Sequence, residues 1–154
     1  MRFKLGAVGG TFDIIHKGHI KLLERAFSES EYIIIGISSD EFAFRRGKTL
    51  IHTYEERLNK LKNILERRYT GRYTIIRLDD DFGPTLDREE IEVLFVSKET
   101  EYKAHQLNML RRKNGLKELS IISIDMILAD DGKPISTSRI RRGEIDTNGN
   151  ILLF

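Results

Sequence analysis

The 154-residue sequence has no cysteine, which excludes disulfides, thiolate zinc sites, thiol nucleophiles and redox chemistry by the protein's own side chains. It lacks any apolar run long enough to span a bilayer, and its N-terminus shows no charged leader with an apolar stretch and cleavage site. A cytoplasmic protein without membrane association is therefore expected. Charge imbalance is small as well: 26 Lys and Arg against 24 Asp and Glu leave a net +2, too little for a broad nucleic-acid footprint. No nucleic-acid partner is expected. Internal repeats, low-complexity tracts and interdomain linkers are also missing. With 40% hydrophobic and 32% charged residues, the chain reads as one domain over residues 1–154 with a sizeable core.

Short apolar runs bounded by turn residues predict five strands, at Phe3 to Val8, Tyr32 to Ile37, Tyr73 to Leu78, Val93 to Val96 and Leu119 to Ile124. Helical spacing lies between them. Ile20, Leu23 and Phe27 share one face, as do Leu58, Leu61 and Leu65, and Ala104, Leu107 and Leu110 or Arg111. Thr53 with Glu56 gives a capping-box signal, Ser97 a candidate N-cap, and short helices are expected after Ser38 and around Ser136, the latter ended by Gly143. Alternating strands and helices imply a Rossmann-like α/β fold, with a five-stranded parallel sheet, helices on both faces and ligands at the carboxyl ends of the strands. The connection from Phe44 to Thr53, which carries Arg45, Arg46 and Lys48, is expected to be mobile.

Two segments carry chemistry. In the first, Gly9-Gly10-Thr11-Phe12-Asp13-Ile14-Ile15-His16-Lys17-Gly18-His19 reads as a glycine turn that leads into a helix opening near His16. Glycines let backbone N–H groups approach an anion, the helix N-terminus is positive, and His16 and His19 share its first turn. Gly18 is a close-packing position or a flat place for a base. In the second, Ile135-Ser136-Thr137-Ser138-Arg139-Ile140-Arg141-Arg142 sets hydroxyls at a helix start with guanidinium groups behind them. Both suit the phosphates of a nucleotide.

Other patterns yield less. Gly47-Lys48-Thr49 imitates a P-loop, but Phe42 stands where the required glycine belongs, and Gly6, Gly9 and Gly10 do not have dinucleotide spacing. Asp79-Asp80-Asp81 before Phe82-Gly83-Pro84 reads as a solvated loop, and His52 and His105 read as ordinary surface or core histidines.

With these segments in hand, the chain resembles the archaeal phosphopantetheine adenylyltransferases, akin to that domain of eukaryotic coenzyme A synthase. It carries an H-x-G-H signature at His16-Lys17-Gly18-His19 and an I-S-S-T-x-x-R-like signature from Ile135 to Arg141. The similarity extends through Tyr54-Glu55-Glu56-Arg57-Leu58, Asp81-Phe82-Gly83-Pro84 and Val96-Ser97-Lys98-Glu99-Thr100 with Asn108. The resemblance implies a nucleotidyltransferase-type fold and transfer of AMP from ATP to 4'-phosphopantetheine, giving dephospho-coenzyme A and pyrophosphate. It implies His16, His19 and Lys48 as catalytic, with Gly9, Gly10, Thr11, Phe12, Gly18, Ser136, Thr137, Ser138, Arg139 and Arg141 holding the nucleotide. Thr11 and Lys48 would also meet the acceptor phosphate, with Lys98, Glu99 and Asn108 as further candidates for substrate recognition. Mg2+ would come mainly with ATP. Bacterial members have threonine where His16 stands and arginines after the fourth strand, where this chain has Lys98; their substrate contacts and hexamer do not simply transfer. The oligomeric state stays open, with a monomer slightly favoured. Alternatives are another H-x-G-H nucleotidyltransferase, acting with CTP or on flavin or nicotinamide mononucleotide, and a non-catalytic nucleotide-binding regulator.

Overall fold

Runs of β-branched residues with no polar alternation belong in the middle of a covered parallel sheet. In the computed structural model of the protein, which describes residues 1–152, the most apolar run forms a strand paired on both sides. This is β2 (Ser30–Ser38), between β1 (Phe3–Gly10) and β3 (Tyr73–Leu78); β4 (Val93–Ser97) lies on the far side of β1, and β5 (Ser120–Ile124) beyond it. All pairs are parallel in the order β3-β2-β1-β4-β5. The chain reverses its direction of travel across the sheet at β1 and β4, so a ligand crevice opens at their carboxyl ends.

Helices α1 (Lys17–Glu29) and α3 (Tyr54–Tyr69) bury Leu23, Ala26, Phe27, Leu61 and Leu65 on one face, against Val8, Ile33, Ile35, Ile37, Val93 and Phe95. Thr53 and Glu56 form the expected capping box at the start of α3. The other face is covered by α4 (Glu101–Lys113) and the 3-10 turn Gly83–Leu86, around Ala7, Ile34, Leu107 and Leu119. Short helices α2 (Asp40–Arg45) and α5 (Thr137–Arg141) follow β2 and a C-terminal hairpin with its own small core of Ala129, Ile135 and Ile145. No helix among the described residues is long and apolar enough to cross a membrane.

Two local expectations need correction. Gly9 and Gly10 are not a turn: they continue β1, in register with Gly36 and Ile37. Gly9 leaves room for a cavity described below, and Gly10 makes room for the Phe12 ring, which a Cβ there would meet at 3.1 Å. Ser97 does not cap α4. A 3-10 turn at Lys98–Thr100 intervenes, and Ser97 makes no side-chain cap bond among the described residues.

Candidate active site

The positive φ of the chain's one described non-glycine left-handed residue, Phe12 (φ 54), turns the backbone out of β1 towards α1. Such a conformation is strained for a bulky side chain. The aromatic ring offsets that cost by burial: Phe12 is 2% exposed and packs within the core beside His19, with ring centroids 5.1 Å apart. With its ring buried, Phe12 has its backbone to offer a ligand.

The helix opens with a capping box built from histidines. His16 Nδ1 accepts from the Gly18 N–H (3.0 Å), and His19 Nδ1 accepts from the His16 N–H (3.1 Å). The two rings lie 3.9 Å apart. With each Nδ1 committed as an acceptor, the ring hydrogen sits on Nε2, so both imidazoles are fixed as Nε2–H donors. Burial pushes His16 down to about 4. Burial, aided by the neighbouring His16 ring and the Lys48 charge, pushes His19 down to about 3. Both are neutral at neutral pH, and no acidic residue stands in the first turn of α1 to offset its positive end. Gly18 serves this arrangement, since a Cβ there would meet the His16 ring at 2.8 Å. The flat place is filled by imidazole, not left open for a base.

Next to this turn, a cavity of about 200 Å³ runs between the sheet and α4. Gly9, Gly10, Thr11, Arg46 and Lys48 line its polar end, and Ala7, Ile34, Ile76, Leu94 and Leu107 its apolar floor. His16, His19 and Ser136 to Ser138 lie outside its walls. The site is thus in two parts: a partly open slot, and a rim at the N-terminus of α1.

The C-terminal segment docks on that rim. Thr137 Oγ1 is 3.5 Å from the Ile14 carbonyl, the Lys17 N–H donates to Thr147 O (2.9 Å), and Arg141 Nη1 donates to Thr49 O (2.7 Å) on the Lys48 loop. Ser136 caps α5 by accepting from the Arg139 N–H, and Ser138 is exposed. The two phosphate-type segments, far apart in sequence, meet. Arg139 is placed otherwise than expected: its guanidinium pairs with Asp131 and Glu144 and is 12% exposed. It braces the hairpin, which leaves Arg141 as the cation nearer the loop.

The three substrate-recognition candidates after β4 are not brought to the cavity. Lys98 is exposed and pairs with Glu101 (3.7 Å), and Glu99 is exposed beside it. Asn108 is buried and spends its amide on Leu119, donating to its carbonyl (2.9 Å) and accepting from its N–H (2.8 Å). It holds the entry to β5. The cavity wall on this side is instead Thr100, Lys103, Ala104 and Leu107, with Lys103 paired to Asp81 across the slot (3.4 Å). Spacing of three and four along α4 from the expected Ala104 and Leu107 was the signal that could have found them.

A parallel sheet with its crevice at the switch point, a helix start bearing paired imidazoles and a hydroxyl-rich turn against it define a nucleotidyltransferase. Residues 7–143 match the Cytidylyltransferase-like family, and the chain belongs to it. Over 151 residues it is 48% identical to a phosphopantetheine adenylyltransferase of Methanothermobacter thermautotrophicus, a match covering 98% of this chain and 91% of that one. The phosphopantetheine adenylyltransferase of Methanopyrus kandleri is 40% identical over 146 residues, covering 94% and 92%. A protein of unknown function from Archaeoglobus fulgidus superposes with a TM-score of 0.72 at 32% identity, over 80% of this chain and 90% of that one. Within the wider family, the chain is a member of the archaeal phosphopantetheine adenylyltransferases.

Proposed function

We propose that the protein transfers AMP from ATP to 4'-phosphopantetheine, releasing pyrophosphate and forming dephospho-coenzyme A. The observation that carries this reading is the pair of neutral, tautomer-fixed imidazoles beside a slot whose polar end holds Gly10, Thr11 and Lys48. The acceptor's phosphate fits that end, and its uncharged arm fits the apolar floor. ATP lies over the start of α1, with its outer phosphates towards Ser136, Thr137 and Ser138 and the cation of Arg141.

An acceptor phosphate oxygen attacks the α-phosphorus of ATP, and the bond from that phosphorus to the bridging oxygen breaks. Pyrophosphate leaves with the electron pair. The attacking phosphate is already ionised, so no side chain needs to remove a proton, and the protein's work is positioning and charge stabilisation. His16 and His19 donate Nε2–H bonds to the α-phosphate and the bridging oxygen. Lys48 neutralises charge shared between the attacking and transferred phosphates, while Gly10 N–H and the Thr11 hydroxyl orient the attacker.

ATP would enter as its Mg2+ complex, with the ion held mainly by triphosphate oxygens and water, where it would supply charge neutralisation. Incubation with ATP, Mg2+ and 4'-phosphopantetheine should release pyrophosphate, and no release above background would reject the reading. Parallel reactions with CTP, or with flavin or nicotinamide mononucleotide as acceptor, should remain at background.

A further inference from the structure

Lys48 comes to the cavity on an irregular connection, but this connection is held at both ends. At its leading end Gly47 takes the left-handed conformation (φ 76), with Gly47 N–H donating to Phe44 O (2.9 Å) and Lys48 N–H to Ala43 O (3.0 Å). These paired bonds close α2 as a Schellman motif. At the trailing end the Asp13 carboxylate, on a residue only 5% exposed, accepts from the N–H groups of Ile51 (3.0 Å) and His52 (3.0 Å). The His52 ring returns a bond from Nδ1 to the Asp13 carbonyl (2.9 Å). Thr49 is held from a third direction by Arg141.

Arg57 lies beneath both segments, its side chain 0% exposed. It donates to Thr11 O (2.9 Å), Ser38 O (2.7 Å) and His52 O (3.3 Å), and pairs with Asp40 Oδ1 (2.7 Å). One buried guanidinium thereby joins the turn bearing Thr11, the end of β2, the first residue of α2 and the last part of the Lys48 connection. Buried ionic groups add little net stability once desolvation is counted. Here their bonds converge on the backbone of the two segments that carry the polar end of the slot.

We propose that Asp13, His52 and Arg57 are positioning residues that fix Lys48 relative to Thr11, so that the ammonium is preset for the phosphates rather than recruited from a free loop. Only Lys48, Thr49 and Leu50 lie between the Gly47 and Ile51 anchors, which leaves the Lys48 backbone little room to travel. The proposal rests on the reading of Lys48 given above.

The test is a double-mutant cycle on turnover, read as pyrophosphate release from ATP, Mg2+ and 4'-phosphopantetheine. Asp13→Asn keeps the shape but turns one acceptor oxygen into a donor facing a backbone N–H, whereas His52→Ala removes only the ring's bond. With Lys48 present, Asp13→Asn should lower kcat about 10-fold and His52→Ala about 3-fold, with KM for both substrates changed less than about 2-fold. In a Lys48→Ala background each change should cost less than about 2-fold. Equal losses in both backgrounds would overturn the proposal and make Asp13 and His52 general scaffold. Unchanged turnover in Lys48→Ala itself would remove the role of Lys48, and this proposal with it, while wild-type protein that releases no pyrophosphate would reject the reaction as well. Thermal melts monitor folding of each variant. If Asp13→Asn does not fold, His52→Ala, whose ring is 26% exposed, decides the cycle alone.

Discussion

On the face of the sheet covered by α1 and α3, β2 presents Ile33, Ile35 and Ile37, and β1 presents Val8 and then Gly10. The gap left by Gly10 is filled: a Cβ there would meet the Phe12 ring at 3.1 Å. On the opposite face the same strands present Ile34 then Gly36, and Ala7 then Gly9, with Gly9 and Gly36 side by side in the register. Over Gly36 the space is taken by Leu78, which a Cβ there would meet at 2.6 Å, but over Gly9 room remains and borders the cavity. Two faces of one sheet thus use glycine at equivalent heights for opposite ends. The taper in side-chain size towards the carboxyl ends is closed by an aromatic on one face, while on the other it is left as room for a ligand. The packed face also carries the histidine rim, because Phe12, which completes its core, is the ring against which His19 sits.

The contrast can be broken most severely at the rim. His19→Ala should leave a folded protein whose turnover falls by roughly two to three orders of magnitude, as loss of one preorganised donor does. Near-normal kcat in a variant with a native melting profile would contradict the role given to His19. The packed face should respond in the other currency. Leu65, 0% exposed on α3, cut to alanine should cost about 2–5 kcal/mol in urea unfolding while kcat per folded molecule stays within about 2-fold. The hollow face should respond in neither way. At Gly9 a Cβ would stand at ordinary contact distance (3.4 Å) from Leu78, so Gly9→Val should fold, project its methyls into the slot and raise KM for the acceptor about 10-fold with KM for ATP little changed. An equal rise in both KM values would mean that the slot is not the acceptor's.

Much of this was legible in the chain, for a physical reason. Apolar runs buried on both faces announce themselves without any partner, and Tyr73 to Leu78 forms a strand at the predicted bounds. The Thr53 and Glu56 box is a local device and is equally readable. Gly9-Gly10 was misleading because glycine marks turns and also marks places where something must come close, and only the neighbouring strand shows which applies. Asn108 and Arg139 illustrate a second limit. A polar residue near a signature looks available for substrate, yet whether its hydrogen bonds are already taken by Leu119 or Asp131 depends on segments that spacing does not relate. The cavity itself was illegible, since its lining comes from four strands, two helices, two 3-10 turns and three loops.

The smallest expected effect concerns protons, and it again separates the faces. On the rim, His16 and His19 resist protonation until about pH 4 and about pH 3 in the folded protein, whereas in the unfolded chain an imidazole takes up its proton near pH 6.5. Above that value both states are neutral and the pair has no influence on the pH dependence of stability. As pH falls from about 6.5 towards 4 the unfolded state binds more protons than the native one, so stability declines over that window. Protonation would also cost each Nδ1 its role as acceptor, opening the histidine capping box and the donor geometry together. Imidazole proton shifts followed by NMR should therefore show His16 and His19 flat between pH 7 and about 5. Replacing His19 with glutamine should shallow the decline in unfolding midpoint over the same range, while Leu65→Ala should lower the midpoint at every pH and leave that slope unchanged. A midrange titration near 6.5 for either rim histidine would mean that the ring is solvated rather than held by the helix start, and the comparison of a preset rim with an open slot would fail.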